Sequence, residues 1–258
     1  MSNEFRDYNE SSSQVKKFYM NQHLNLTYVK AVQMNMQFMD KQKQYYTINQ
    51  LLRICDDIYD PSDPDTNLSQ TEHAYQTANY ALEYGLPDEY VVMGMIHDLG
   101  KVVVKLLNYD MLYIVGDTYP LGCPFETDKI TLGESLLSNP DQKNPIYSNG
   151  HGVYQPNCGF SNMVFTGHDE FIYISLCHTQ HNLPDWALYV LRFHSFYPWH
   201  SNNAYVRYAN KTDIQYLQCL KTFNKCDLYT KHDKIVTQKQ KEKINKIVDQ
   251  YLPHGLKF

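Results

Sequence analysis

The sequence predicts a mostly α fold, and three observations carry that prediction. Apolar residues recur at three- and four-residue steps along several stretches from Ser13 onward, which is the period of one helix face. Helix start and stop signals punctuate those stretches. Between residues 105 and 160 the chain is instead rich in Gly, Pro and Asn, with short β-type runs such as Leu112-Tyr113-Ile114-Val115. That region predicts an irregular insertion with a small β-hairpin. With 258 residues, no internal repeat and no low-complexity linker, one domain over 1–258 is expected, its first 13 residues a polar N-terminal arm.

Helical periodicity begins near Ser13 and continues through the Met-rich stretch 29–39. A second helix is expected over 47–59, stopped by Asp60-Pro61-Ser62-Asp63-Pro64 because proline cannot continue a helix. Ser69-Gln70-Thr71-Glu72 reads as a capping box. It opens a helix running to about Tyr84, with His73 in the first turn. Asp88 is expected to cap the next helix, which is apolar through Val91-Val92-Met93-Gly94-Met95-Ile96 before His97-Asp98, and Gly100 to loosen or end it. Further helices are expected over 168–178, 184–197, 213–229 and 234–252, with Pro184 at a helix start and Pro198 terminating that helix.

A formal net charge of -5 and a pI near 6.1 argue against a broad nucleic-acid or anionic-lipid surface. The densest basic run, Lys239-Gln240-Lys241-Glu242-Lys243, alternates with polar residues and reads as a solvated helix face. The six cysteines form no CxxC pair and no compact disulfide framework, so thiols in a reducing compartment are expected. Residues 1–20 are polar and charged, and no apolar run has membrane-spanning length. A soluble, cytoplasmic protein without nucleic-acid or membrane partners is expected. The 23 tyrosines are spread along the chain and imply no function.

The chemistry-bearing feature is His97-Asp98 at the end of an apolar helix, where an imidazole and a carboxylate are costly to bury without compensation. A cation would supply it. His73 starts the preceding helix, and antiparallel packing of two helices joined by a short turn brings it beside His97-Asp98. The steps Ile214, Leu217, Leu220, Asn224, Asp227 put Asp227 on a buried stripe. His168 and His194 offer two more imidazoles, each of which, alone, is more often structural than a ligand. Six side chains are too many for one catalytic metal that keeps open positions. They suit a pair of ions bridged by a carboxylate. Lys101 follows His97 by four residues, on the same face if the turn passes Gly100.

His73…His97-Asp98…Asp227 matches the H…HD…D pattern of the helical HD-domain superfamily. Longer segments resemble the myo-inositol oxygenase family. They are Phe5-Arg6-Asp7-Tyr8, Ser62-Asp63-Pro64-Asp65, His73-Ala74-Tyr75-Gln76-Thr77, His97-Asp98-Leu99-Gly100-Lys101, Val115-Gly116-Asp117-Thr118, Gly167-His168-Asp169-Glu170, Arg192-Phe193-His194-Ser195-Phe196-Tyr197-Pro198-Trp199-His200 and Phe223-Asn224-Lys225-Cys226-Asp227-Leu228-Tyr229. They span nearly the whole chain, in order. Pro61 departs from the pattern, standing where the family commonly has an acidic residue.

The resemblance implies an HD-domain-like helical bundle with two iron ions per subunit, mixed-valent Fe(II)/Fe(III), cleaving the ring of myo-inositol with O2 to D-glucuronate. It implies that His73, His97 and Asp227 hold one iron, that His168 and His194 hold the other, and that Asp98 bridges them. Lys101 and Asp98 become the catalytic residues. The implied substrate contacts are Arg6, Asp60, Ser62, Lys101, Gly116, Asp117, His194 and Ser195, with Arg6 on an arm that folds over the pocket. A monomer is expected. His178, His181 and His200 read as structural neighbours of the site, while His23, His151, His232 and His254 carry no signal. The alternative is an HD-type metal-dependent phosphohydrolase using His73, His97, Asp98 and Asp227, against which stands the scarcity of Arg and Lys near those positions. A non-catalytic metal-binding scaffold is the third reading, and the presence of His168, His194 and Lys101 weighs against it.

Overall fold

The structure, a computed structural model, describes residues 13–62, 68–228 and 235–258. The expected arm, with Arg6, falls outside the described residues apart from Ser13. The described residues are mostly helical. The helices are α1 (Ser13–Asn25), α2 (Tyr28–Asp40), α3 (Ile48–Asp56), α4 (Gln70–Glu83), α5 (Asp88–Ile96), α6 (Val103–Leu106), α7 (Pro140–Lys143), α8 (Pro145–Ser148), α9 (His168–His178), α10 (Asp185–Phe193), α11 (Tyr197–His200), α12 (Lys211–Leu228) and α13 (Gln238–Tyr251). A 3-10 segment, His97–Val102, continues α5.

The predicted helix starting at Ser13 is two helices. The Thr27 side chain accepts the Lys30 N–H and starts α2, while Asn139 reaches across from the insertion to donate to the His23 and Leu26 carbonyls that end α1. Ser69 caps α4 by accepting the Glu72 N–H. Only this half of the expected box forms, because the Glu72 carboxylate turns outward to Lys241. Pro87, not Asp88, occupies the cap position of α5. Asp88 lies in the first turn, where an anion is favoured by the helix dipole. The helix expected over 184–197 ends at Phe193 and restarts as α11. Pro198 cannot sit four residues beyond the His194 carbonyl in a continuous helix, and the His200 imidazole takes that carbonyl instead.

α4 and α5 form the tightest pair. Gly85, at φ +65, lets the Leu86 N–H reach the Ala81 carbonyl and the Gly85 N–H reach Leu82. These are the paired bonds of a Schellman stop that reverses the chain. The facing surfaces carry Ala74, Ala78, Ala81 and Gly94, all buried. A Cβ on Gly94 would lie 2.6 Å from the Ala78 nitrogen, so the two backbones touch. On α12 the buried residues are Asp213, Leu220, Phe223, Asn224, Cys226 and Asp227. Ile214, placed on that stripe by its spacing, is instead 57% exposed.

The region 105–160 contains 3-10 turns and short helices rather than a hairpin. Asp110 accepts the Leu112 N–H and winds Met111–Tyr113 into a 3-10 turn where a β run was expected. The small antiparallel sheet lies elsewhere, between β1 (Tyr45–Tyr46) and β2 (Leu256–Lys257), with Tyr45 opposite Lys257 and Tyr46 opposite Leu256. All six cysteines are free, and no helix of the described residues is long and apolar enough to cross a membrane.

Two tests follow from this packing. Gly94→Ala should cost about 1–3 kcal/mol by forcing α4 and α5 apart, seen as a lower urea midpoint at unchanged slope. His23 is buried against Tyr19 and Tyr119 and bonded through Nδ1 to Ser135 Oγ. Burial lowers its pKa from 6.5 to about 4. The unfolded chain therefore takes up a proton between pH 6.5 and 4 that the folded chain refuses. Stability falls across that window, by at most about 3 kcal/mol from this group. His23→Gln should show a shallower dependence of the denaturation midpoint on pH.

Candidate metal centre

Five helices deliver polar side chains to one cleft of about 420 Å³. His73 comes from the first turn of α4, and Asp227 from the last turn of α12. His97 and Asp98 stand where α5 tightens into the 3-10 segment. His168 opens α9, and His194 closes α10. The tight segment is pressed onto α9: a Cβ on Gly100 would collide with the His168 carbonyl oxygen. Only glycine allows this approach, which brings Asp98 up to His168.

One half of the cleft is a triangle of ligand-type atoms. His73 Nε2 lies 3.0 Å from Asp227 Oδ1 and 3.2 Å from His97 Nε2, and His97 Nε2 lies 3.5 Å from Asp227 Oδ1. Ligand atoms bound to one ion at ~2.1 Å stand roughly 3.0–3.5 Å apart when they subtend about 90–110°. The triangle therefore fits a single ion. The other half holds His168 and His194, with ring centroids 5.1 Å apart. Asp98 faces both halves: its Oδ2 is 3.6 Å from His97 Nε2, and its Oδ1 is 3.4 Å from His168 Nε2. A carboxylate divided in this way can bridge two ions.

The imidazoles are prepared for metal by their second nitrogen. His97 Nδ1 donates to the Gly94 carbonyl, His194 Nδ1 to Leu191 and His168 Nδ1 to Ile114, at 2.8–3.0 Å. Each bond keeps a proton on Nδ1 and turns Nε2 toward the cleft as the nitrogen open to a metal. His194 Nε2 is buried without a hydrogen-bond partner among the described residues. Such an orphan is expensive in a protein interior unless a cation takes the lone pair.

The electrostatics point the same way. Burial opposes ionisation of Asp98, but Lys101 and the surrounding imidazoles overcome it and hold the carboxyl well below its usual range. Burial likewise opposes Asp227, and hydrogen bonds from His73 and His97 overcome it. Burial works against charge on His97, yet Asp98 and Asp227 push that imidazole up to about 9. His168 and His194 are lowered by burial and stay neutral. The carboxylates favour positive charge near His97, while the far half offers neutral nitrogen donors.

A polar wall faces this cluster. Lys101 Nζ lies 2.9 Å from Asp60 Oδ2, 3.0 Å from Asp98 Oδ2 and 3.3 Å from Gln70 Oε1. Ser62 donates both its N–H and its hydroxyl to Asp60 Oδ1. Asp117 is set by Tyr19 and by Thr131. Gly116, at φ +93, faces Ser62. Ser195 Oγ stands 3.1 Å from His168 Nε2.

Every site residue predicted from sequence that lies among the described residues lines this cleft: Asp60, Ser62, His73, His97, Asp98, Lys101, Gly116, Asp117, His168, His194, Ser195 and Asp227. Arg6 lies outside the described residues. Two residues given no role from sequence also belong here. Tyr197 lines the cleft and donates to Asp227 Oδ2 at 3.4 Å. Asp169, 1% exposed, places Oδ1 3.1 Å from His168 Nε2 and 3.4 Å from His194 Nδ1. The signal for Asp169 was present, since His168-Asp169 repeats the dipeptide His97-Asp98.

A model of the family described as myo-inositol oxygenase matches residues 12–258. The chain belongs to the myo-inositol oxygenase family. It is 36% identical over 269 residues to an inositol oxygenase of Dictyostelium discoideum, covering 98% of this chain and 89% of that one. Over 206 residues it is 38% identical to an inositol oxygenase of Danio rerio, covering 79% and 74%. Identity to an inositol oxygenase of Rattus norvegicus is 33% over 255 residues, covering 96% and 89%. The family match extends over the described cleft from Asp60 to Asp227.

Replacing Gly100 with alanine separates the 3-10 segment from α9. Gly100→Ala should retain helical circular dichroism while losing at least one tightly bound metal ion per chain, as measured by metal analysis after dialysis. Full metal retention would show that the close approach is not what joins the two halves.

Proposed function

We propose that this chain is a di-iron inositol oxygenase that converts myo-inositol and O2 to D-glucuronate and water. We further infer that it works as one domain and as a monomer. The observation that carries the reading is Asp98, one oxygen toward each histidine set, beside a wall able to bind several hydroxyls. His73, His97 and Asp227 would hold one iron, and His168 and His194 the other, with Asp98 between. When bound, a mixed-valent Fe(II)/Fe(III) pair supplies O2 activation and Lewis acidity toward a substrate hydroxyl.

The chain's own residues do the rest. Asp60, Ser62, Asp117 and Ser195 present donors and acceptors that orient a polyhydroxylated ring, and the main chain at Gly116 leaves room beside them. A polyol lacking one of these hydroxyls leaves a buried polar group unpaired, which rejects it. Lys101, clamped between Asp60 and Asp98, keeps a positive charge beside the position of the substrate oxygen. As an ammonium it stabilises an alkoxide there by donating a hydrogen bond to the oxygen. The stoichiometry balances: the substrate's C6H12O6 and one O2 give C6H10O7 and one H2O. A phosphohydrolase reading fits less well, because Lys101 is the one Lys or Arg lining the cleft among the described residues and two carboxylates already neutralise it.

Iron-loaded protein supplied with myo-inositol in air should consume one O2 for each glucuronate formed. Release of phosphate from nucleotides or phosphate esters, with no O2 uptake on inositol, would sink the proposal. Chelation should abolish turnover, and added iron should restore it. Lys101→Ala should lower kcat about 10²–10³-fold, the range for loss of one preorganised donor to a developing oxyanion, at unchanged iron content. Loss of iron in that variant would instead assign Lys101 to holding Asp98.

A further inference from the structure

Asp169 is the buried carboxylate that the proposed chemistry leaves unused. It sits in the first turn of α9, directly after His168. Its Oδ2 accepts the Ser195 N–H at 2.9 Å, so it fastens the start of α9 to the residue that follows His194. The Ser195 carbonyl is held from the other side by the Thr118 N–H, also at 2.9 Å. With both ends of that segment fixed, the spacing of the two imidazoles is set by main chain rather than by their own rotamers.

The other oxygen, Oδ1, has no hydrogen-bond partner among the described residues. It lies against the proton-bearing Nδ1 of His194 and the lone-pair Nε2 of His168. The first contact is weakly attractive. The second sets a carboxylate oxygen 3.1 Å from the nitrogen that would take a cation, a nitrogen that also meets the Ser195 hydroxyl. A fixed carboxylate in that place favours occupation of this half of the centre and, through the His194 Nδ1–H, raises the basicity of that ring toward metal.

We propose that Asp169 is a positioning residue that makes the His168–His194 half bind its ion, by fixing the spacing of the two imidazoles and setting a negative charge between them. This inference rests on the paired-metal reading above. Asp169→Asn keeps an oxygen for the Ser195 N–H. It turns an amide donor onto His168 Nε2, where the donor competes with the metal for the lone pair.

Equilibrium dialysis of metal-free full-length protein against Mn(II) tests it, with EPR separating a coupled pair from an isolated ion. The unsubstituted protein should bind two ions and give the coupled signal. Asp169→Asn should keep the first ion at unchanged affinity and weaken the second about 10–100-fold, leaving the isolated signal. Glu170→Gln is the structural control. Glu170 is the next residue, buried and paired with Arg192 at 2.7 Å, so its loss should lower thermal stability and leave both affinities alone. Unchanged second-ion affinity in Asp169→Asn overturns this inference alone. One ion in the unsubstituted protein overturns the paired-metal reading and this inference with it. If Asp169→Asn does not fold, Asp169→Glu decides: the longer arm moves the charge off its seat, and a second affinity equal to that of the unsubstituted protein counts against the inference.

Discussion

An excess of buried negative charge is the constraint around which the rest of the structure is arranged. Asp60, Asp98, Asp117, Asp169 and Asp227 stand around the cleft with Lys101 as the one ammonium among the described residues. Removing a carboxylate from water costs several kcal/mol even after a protein relaxes, and one lysine cannot neutralise five. Hydrogen bonds absorb part of the imbalance: Ser62 on Asp60, Tyr19 and Thr131 on Asp117, and the Ser195 N–H on Asp169. The remainder falls on Asp98, Asp169 and Asp227, the three carboxylates that lie against the histidines. Two multivalent cations would bring the site close to neutrality, and the surrounding protein is built to keep the carboxylates in place.

Glycine and alanine do much of that building. The contact of Gly94 with Ala78 sets α4 against α5 so that His73 meets His97, and the contact of Gly100 with the His168 carbonyl brings the two histidine sets to one carboxylate. These approaches stabilise little by themselves, since they bury few carbons. Their effect is positional, because interiors are packed too densely for such spacings to drift.

The sequence made the helices legible where apolar period and caps agreed, as in α9, which runs over the residues expected from the pattern. It misled where tertiary contacts override local signals. The run 112–115 has the composition of a strand, but its neighbour Asp110 caps a turn and the Ile114 carbonyl is required by His168. Ile214 obeys the helical spacing of a buried stripe, yet it lies near the start of α12 and faces solvent. In the cleft, His73, His97, Asp98 and Asp227 could be grouped by helix geometry alone. His168 and His194 needed the family resemblance, because nothing local distinguishes a ligand histidine from a core one. His168-Asp169 repeats the dipeptide His97-Asp98, but the bond from Asp169 to an amide 26 residues away is not written in that repeat.

Three of the four imidazoles lean on backbone carbonyls, at Gly94, Ile114 and Leu191. The outer layer of the centre is thus written largely in main chain, which no side-chain replacement can delete. Its tautomers persist as long as the helices do. The orientation of those rings is therefore insulated from drift in the surrounding residues. Any retuning of this centre has to pass through the few side chains that touch it directly, or through a change in the path of the backbone itself.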